Sequence, residues 1–158
     1  MLLEGSCACG AVHFSVETAA PWPTHRCYCP DCRKATGSGG FATWMVADTS
    51  TLKTEGEEHL SRYHGECPDG HETPGERVFC SKCGSHLWFF DPRWPTDVHL
   101  FASAVDTPMR EPPKYVDFNL AYKAPWVARP EGPEHELCED AYQVGMMEWH
   151  RRNGLAEE

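Results

Sequence analysis

The chain has 158 residues and a mass of 17.8 kDa, the size of one domain. Leu, Val and Phe contribute only 25 residues and Ile none, so we expect a small apolar core that needs a second source of stability. The formal net charge of −10 argues against nucleic acid as a partner. No stretch has the roughly 18 consecutive apolar residues of a membrane helix. The N-terminus does not resemble a secretion signal. We therefore expect a cytoplasmic protein with neither a nucleic-acid nor a membrane partner.

The hydrophobic pattern predicts a mainly β protein built of short antiparallel strands. Apolar residues alternate with polar ones, or form short β-branched and aromatic runs, between stretches rich in Gly and Pro. The predicted strands span residues 12–16, 41–46, 60–64, 87–90, 97–105 and 114–120. We expect a polar loop at 66–76, which carries two prolines and two glycines.

The C-terminal part of the chain has a different pattern. Between Pro133 and Arg152, apolar residues recur at helical spacing, with acidic residues near the start and basic residues near the end. We predict one amphipathic helix over this stretch, packed on the sheet, whose apolar face is also our candidate homodimer contact. The expected organisation is a zinc-binding β domain at residues 1–130 and a helical extension at 131–158.

Nine cysteines offer the second source of stability. Seven of them fall in three short motifs, namely C-x-C at Cys7 and Cys9, C-x-C-x-x-C at Cys27, Cys29 and Cys32, and C-x-x-C at Cys80 and Cys83. Metal sites cluster cysteines because one turn then presents two thiolates to one ion, whereas disulfide frameworks spread them to close loops. The odd number of cysteines and the reducing cytosol also disfavour a disulfide framework. We predict two zinc sites.

The first and third motifs predict a structural zinc site. Each is followed by a glycine, which allows a tight turn that points N–H groups at sulfur. Together they supply the four thiolates of a closed tetrahedral site, Cys7, Cys9, Cys80 and Cys83. Structural zinc contributes on the order of 10–16 kcal/mol in small peptides, against a typical net stability of roughly 5–15 kcal/mol. Such a site would decide whether so small a core folds.

The middle motif predicts a second zinc with an open position. Cys27, Cys29 and Cys32 supply three ligands, and three protein ligands plus a water or substrate is the arrangement of a catalytic zinc. The alternative is a second closed site completed by His25, Asp31 or a distant side chain. Zn²⁺ with three thiolates has a formal charge of −1 and is a weak Lewis acid that suits soft sulfur ligands, so we expect the open position to accept a small thiol.

Two basic residues follow this motif directly. Arg33 and Lys34 are candidate contacts to a carboxylate on the thiol compound; the alternative is that they are ordinary surface charges.

The motifs together resemble the glutathione-dependent formaldehyde-activating enzymes, a family that includes relatives of centromere protein V. The resembling segments are GSCACGAV at 5–12, CYCPDCRK at 27–34, Gly37, Trp44, FCSKCGS at 79–85 and KAPW at 123–126. All seven cysteines of the family pattern are present in order. The resemblance covers roughly residues 3–127, most of the chain.

What this resemblance implies is a β-tent fold with two zinc sites, divided four and three as the spacing suggests. The family reaction joins glutathione to formaldehyde to give S-hydroxymethylglutathione, and its members are classed as carbon–sulfur lyases. Cys27, Cys29 and Cys32 then match the site linked to activity, and Trp44 joins Arg33 and Lys34 as a candidate substrate contact. The C-terminal extension and the cysteines Cys67 and Cys138 depart from the usual pattern. We expect Cys67 and Cys138 to be free thiols; the alternative for Cys67 is an extra metal cluster with His64 and His71.

Three functions compete. The first is a zinc-dependent carbon–sulfur lyase that acts on a glutathione, or other small-thiol, adduct of formaldehyde or a related electrophile. The second is a zinc-stabilised protein-binding module without chemistry, which predicts two closed sites. The third is redox or metal sensing through the middle cysteines, which predicts easy loss of one zinc under mild oxidation. We favour the first.

Overall fold

A computed structural model describes residues 1–36, 39–66 and 71–154. Within these ranges the chain forms eleven strands, two short α-helices and four single-turn 3₁₀ helices. The strands are β1 (Leu2–Ser6), β2 (His13–Glu17), β3 (Thr24–Cys27), β4 (Ala42–Asp48), β5 (Lys53–Glu55), β6 (Leu60–Glu66), β7 (Glu72–Cys80), β8 (His86–Phe90), β9 (Asp97–Phe101), β10 (Tyr115–Phe118) and β11 (His135–Leu137). The helices are α1 (Pro30–Thr36) and α2 (Met146–Arg152).

The strands form two sheets. The small sheet has the order β1-β2-β5, and the large sheet has the order β11-β10-β3-β4-β9-β8-β7-β6. The prediction of a mainly β protein is therefore confirmed. The expectation that pairing is antiparallel is correct except at one edge, where β10 runs parallel to both β3 and β11.

The apolar core lies between the two sheets. Leu3, Phe14 and Val16 of the small sheet pack with residues of the large sheet such as Met45 and Leu100. Because side chains alternate along a strand, the neighbours of these large-sheet residues point to the opposite face. On β4 and β9, the residues on that second face include Trp44, Val46 and His99, which line a cavity there. The large sheet thus separates the core from the cavity.

The predicted loop at 66–76 is wrong at both ends, because Glu66 belongs to β6 and the residues from Glu72 onward belong to β7, while 67–70 lie outside the described residues. Strand β7 begins at Glu72 and pairs with both β6 and β8. The sequence suggested a turn at Gly75, but this residue lies within the strand. The Phe89 ring packs against its backbone, which leaves no room for a side chain. A Cβ atom at this position would come within 2.4 Å of Phe89 Cζ. Strands β1, β3 and β5 and helix α1 were also absent from the predicted elements.

The single helix predicted from 133 to 152 is wrong in extent, since only its last turns are helical. Residues His135–Leu137 instead add a strand to the edge of the large sheet beside β10. His135 Nδ1 lies 2.6 Å from Oδ2 of the fully buried Asp117, so a tertiary contact replaces the local helical pattern. The division of the chain at residue 130 and the homodimer contact stay predictions.

Helix α2 packs against the rest of the protein through Trp149. The Trp149 side chain is 2% exposed, and its Nε1 donates to Glu136 Oε2 at 3.1 Å. No helix in the described part of the chain is long and apolar enough to cross a membrane.

We expect Trp149→Ala to lower the free energy of unfolding by about 3–5 kcal/mol, the usual loss for deleting a buried aromatic side chain. Urea unfolding followed by fluorescence or circular dichroism measures this change. Trp126→Ala is the matched control, because Trp126 is 67% exposed and its removal should change stability little. Equal losses in the two variants would show that α2 is not anchored through Trp149.

Candidate functional site

The first group of sulfur atoms lies between the small sheet and the large sheet. Cys7 and Cys9 lie in the turn between β1 and β2, while Cys80 ends β7 and Cys83 lies in the turn before β8. The four sulfur atoms, which we call the four-cysteine cluster, all lie within 4.8 Å of one another. They could hold one metal ion. Such an ion would connect the small sheet to the large sheet at one end of the core.

The local backbone explains how these turns present sulfur. Gly10 and Gly84 have φ angles of 71° and 75°, a conformation that favours glycine. The Val12 backbone N–H donates to Cys7 Sγ at 3.3 Å, and a hydrogen bond from the Ser85 hydroxyl lowers the pKa of the Cys83 thiol to about 5. The donors to this cluster are therefore neutral groups.

The second group, the three-cysteine cluster, lies where β3 leads into α1. Cys27 ends β3, Cys29 directly precedes α1, and Cys32 lies in the first turn of α1. Their three sulfur atoms also lie within 4.8 Å of one another. Hydrogen bonds from Cys27 and Cys32 hold the pKa of the Cys29 thiol far below its ordinary value, and that sharing raises the pKa of the Cys27 and Cys32 thiols. A cation among the three sulfurs would favour the ionised form of all of them.

Each sulfur of the three-cysteine cluster has one nitrogen donor. Asn119 Nδ2 donates to Cys27 Sγ at 3.2 Å, and the Cys32 backbone N–H donates to Cys29 Sγ at 3.4 Å. Arg77 Nη2 donates to Cys32 Sγ at 3.9 Å. Donors of this kind orient metal ligands and tune the metal they hold. The arrangement suits three thiolates that bind one ion.

A cavity of about 210 Å³ opens beside the three-cysteine cluster, on the face of the large sheet that points away from the core. Cys27 and Cys32 form part of its wall. Its aromatic lining residues are Trp44, Phe89, Trp94, Phe118 and Tyr142. Sites of this kind, mostly apolar with a few polar groups, are typical of small-molecule binding.

Three of the ionisable groups that line the cavity are neutral or paired. Burial lowers the pKa of His25 to about 3 and also lowers the pKa of His99, so both imidazoles are neutral at pH 7. Asp91 is paired with Arg93, whose Nη2 lies 2.5 Å from Asp91 Oδ2. Among the described residues, Arg77 is the Lys or Arg side chain that donates to one of the three sulfurs.

The C-terminal segment closes one side of the cavity. Tyr142, Val144, Gly145 and Met146 belong to its lining. The Tyr142 ring centroid lies 5.7 Å from that of His25, and the Tyr142 hydroxyl donates to Glu136 Oε1 at 2.9 Å. A stretch that the sequence pattern assigned to one helix therefore shapes the space beside the cysteines.

The structure places the other predicted residues as follows. Trp44 is buried and lines the cavity. Arg33 and Lys34 lie on α1 outside the cavity lining, half-buried and exposed respectively, so their contact with substrate stays a prediction. Asp31 and His25 do not join the sulfur group among the described residues, although His25 lines the cavity.

The remaining cysteines and their neighbours give a mixed result. Cys138 is a half-buried free thiol, as predicted. Cys67 lies outside the described residues, as does Gly37, so the extra cluster of Cys67 with two histidines stays untested. His64 Nε2 lies 3.7 Å from Glu76 Oε2.

Sequence reasoning missed Arg77, Asn119 and Tyr142. The alternation of β7 contains a signal for Arg77, because its neighbour Val78 and also Cys80 point into the core, which places Arg77 on the opposite face. That signal was lost because the preceding residues were assigned to a loop.

Comparison with known proteins adds three findings. The chain matches the family described as "Glutathione-dependent formaldehyde-activating enzyme" over residues 2–120. A Halomonas elongata protein, provisionally named a glutathione-dependent formaldehyde-activating enzyme, is 50% identical over 158 residues, 99% of each chain. A crystal structure of a Rhodobacter sphaeroides protein shares 24% identity and a TM-score of 0.55, over 67% of this chain and 90% of that one. At this identity the structural likeness concerns the fold alone.

Proposed function

The chain belongs to the glutathione-dependent formaldehyde-activating enzyme family, and from that membership we propose that it catalyses the joining of a small thiol, such as glutathione, to formaldehyde or a related small electrophile. In the reverse direction the enzyme would act as a carbon–sulfur lyase. The observation that carries the proposal is the three-cysteine cluster, which has one nitrogen donor for each sulfur and forms part of the wall of a cavity.

The metal proposed for both clusters is zinc. Zn–S bonds of about 2.3 Å in a tetrahedron place the sulfurs roughly 3.8 Å apart. In the four-cysteine cluster, Cys7 Sγ lies 3.5 Å from Cys9 Sγ, which lies 3.9 Å from Cys80 Sγ. This agreement and the all-sulfur donor set support a closed structural site at Cys7, Cys9, Cys80 and Cys83. At Cys27, Cys29 and Cys32, bound zinc would supply a soft Lewis acid with room for a sulfur ligand.

The chain's own residues hold and orient the reactants. Asn119, the Cys32 backbone N–H and Arg77 fix the three sulfurs and favour their ionised forms. The aromatic wall, with Trp44 as the candidate substrate contact, limits water and fixes the orientation of a small adduct. The reaction is balanced without a further reagent: a carbon–sulfur bond forms as the carbonyl π bond breaks, and the thiol proton passes to the oxygen.

Three further assignments rest on the same membership. Arg33 and Lys34 are proposed to meet carboxylates of the thiol compound outside the cavity. The architecture is assigned to the β-tent class, which the two sheets and the four-cysteine cluster between them support. A cytoplasmic location is proposed, supported by the grouping of seven cysteines as candidate metal ligands rather than as disulfides.

The first test combines zinc content with X-ray absorption at the zinc edge, with and without glutathione. We expect two zinc ions per chain and a change in the sulfur coordination of one of them when glutathione is added. S-Methylglutathione is the matched control, because it lacks the free thiol and should cause no change. Formaldehyde consumption, followed by NMR, measures turnover in the same samples.

Two outcomes would count against this function. Two zinc sites that glutathione leaves unchanged, without formaldehyde consumption, would favour the protein-binding module. A single zinc that is insensitive to glutathione would leave only the structural site.

A further inference from the structure

Arg77 is a buried cation without a carboxylate partner. Its side chain belongs to strand β7 and is 9% exposed. Among the described residues no carboxylate oxygen lies within 4.0 Å of its guanidinium, and its Nε has no hydrogen-bond partner. Its polar contact is with Cys32 Sγ at 3.9 Å, and its guanidinium carbon lies 5.5 Å from the Phe89 ring centroid.

A buried guanidinium in this state requires an anion nearby, because water no longer solvates its charge. Two acidic side chains near this face have other partners. Asp91 accepts from Arg93, and Asp117 accepts from Tyr28 and contacts His135. Asp97 also lines the cavity but forms no ion pair with Arg77 among the described residues, so the group in polar contact with the guanidinium is the sulfur set of the three-cysteine cluster.

The register of the large sheet explains why Arg77 reaches this position. Arg77 pairs with Phe89 on β8, Phe89 pairs with His99 on β9, and His99 pairs with Val46 on β4. These four residues form one row across four strands on the cavity face. Cys32, at the start of α1, lies over the end of that row where Arg77 stands.

We infer that Arg77 is the charge partner of the metal held by the three-cysteine cluster, and that it lets this metal accept an anionic sulfur as its further ligand. The inference rests on the zinc site proposed above. Three thiolates and Zn²⁺ sum to −1, and a thiolate substrate would bring the sum to −2. One guanidinium against Cys32 offsets one of these charges, so Arg77 is a positioning residue that acts through the metal ligands.

The four-cysteine cluster supplies the contrast. It carries one more thiolate, yet its donors are the Val12 N–H and the Ser85 hydroxyl. Cys9 and Cys83 are exposed, so water can solvate the excess negative charge there. The three-cysteine cluster is more buried, since Cys27 and Cys32 are 3% and 6% exposed, and a protein cation takes the place of that water.

The test measures zinc affinity at both sites of the full-length protein by competition with chelators of graded strength. We expect Arg77→Met to weaken the three-cysteine site by about 10–100-fold, the usual effect of losing a group that supports metal ligands. The four-cysteine site, an internal reference in the same molecule, should not change. Arg77→Lys, which keeps the charge but loses the planar fork, should fall between the wild type and Arg77→Met.

Arg62→Met is the matched control. Arg62 lies on the neighbouring strand β6, and its side chain is 51% exposed and paired with Glu76. If Arg77→Met does not fold, the comparison of Arg77→Lys with Arg62→Lys decides the question, because both changes retain a cation. Glutathione-dependent changes at the zinc edge give a second readout, and they should weaken in the Arg77 variants alone.

Two results separate this inference from the proposed function. If the wild-type protein binds only one zinc, the second zinc site does not exist, and the inference about Arg77 is wrong with it. Two zinc ions of unchanged affinity and an unchanged glutathione response in Arg77→Met, or in Arg77→Lys where only that variant folds, would overturn the role of Arg77 and leave the proposed function intact.

Discussion

Cys29→Ser should abolish turnover of the thiol–formaldehyde adduct and reduce zinc from two ions per chain to one, while the domain stays folded. A serine hydroxyl stays protonated near neutral pH, whereas the thiolate is the form of cysteine that binds metal. Cys29 Sγ lies within 4.8 Å of both other sulfurs of the three-cysteine cluster, so the substitution removes one of the three candidate ligands. Formaldehyde consumption by NMR, zinc by mass spectrometry and far-UV circular dichroism measure the three quantities.

Cys138→Ser is the control for this experiment. Cys138 is a half-buried free thiol that belongs to neither cluster, so the variant should keep both zinc ions and full turnover. A Cys29→Ser protein that turns over adducts at the wild-type rate would refute the assignment of the reaction to the three-cysteine cluster.

Cys80→Ser should leave the chain largely unfolded at 25 °C. Cys80 is fully buried and belongs both to the apolar core and to the four-cysteine cluster. Structural zinc supplies on the order of 10–16 kcal/mol in small peptides, which equals or exceeds a typical domain stability of roughly 5–15 kcal/mol. Far-UV circular dichroism and urea unfolding, each with and without added zinc, measure the loss.

Lys82→Ala tests whether the effect belongs to the metal ligand or to the turn. Lys82 lies between Cys80 and Cys83 and is exposed, so its replacement should change the free energy of unfolding by less than about 0.5 kcal/mol. A strong chelator added to the wild-type protein should reproduce the Cys80→Ser result. A Cys80→Ser chain that folds with wild-type stability would show that the four-cysteine cluster does not hold the sheets together.

The short-range patterns were the most informative part of the sequence. Alternation of apolar residues located most of the strands, because the side-chain period of a strand is a local property. The spacing of the cysteine motifs grouped seven sulfurs as four and three, and the same sulfurs lie together in the structure. Each motif fixes the position of its own sulfurs within a few residues, so little tertiary information was needed.

The C-terminal segment shows where a local pattern is insufficient. Its apolar spacing fits a helix, yet His135–Leu137 pairs with β10, and His135 contacts the buried Asp117. A free sheet edge and a buried carboxylate are properties of the folded sheet, and they compete successfully with a helical preference worth only tenths of a kcal/mol per residue. The same segment then supplies Tyr142 to the cavity.

The sequence pattern was sufficient for the mainly β class, the family and the two sets of sulfurs. Strand alternation and the spacing within each cysteine motif are short-range signals, although the two motifs of the four-cysteine cluster are 71 residues apart. The tertiary structure alone decided which groups support the three-cysteine cluster. Arg77 is 45 residues from Cys32 in the sequence, and Asn119 is 92 residues from Cys27. The register of the large sheet brings these donors to the sulfurs and builds the cavity beside them, and strand register is set by packing across the whole domain.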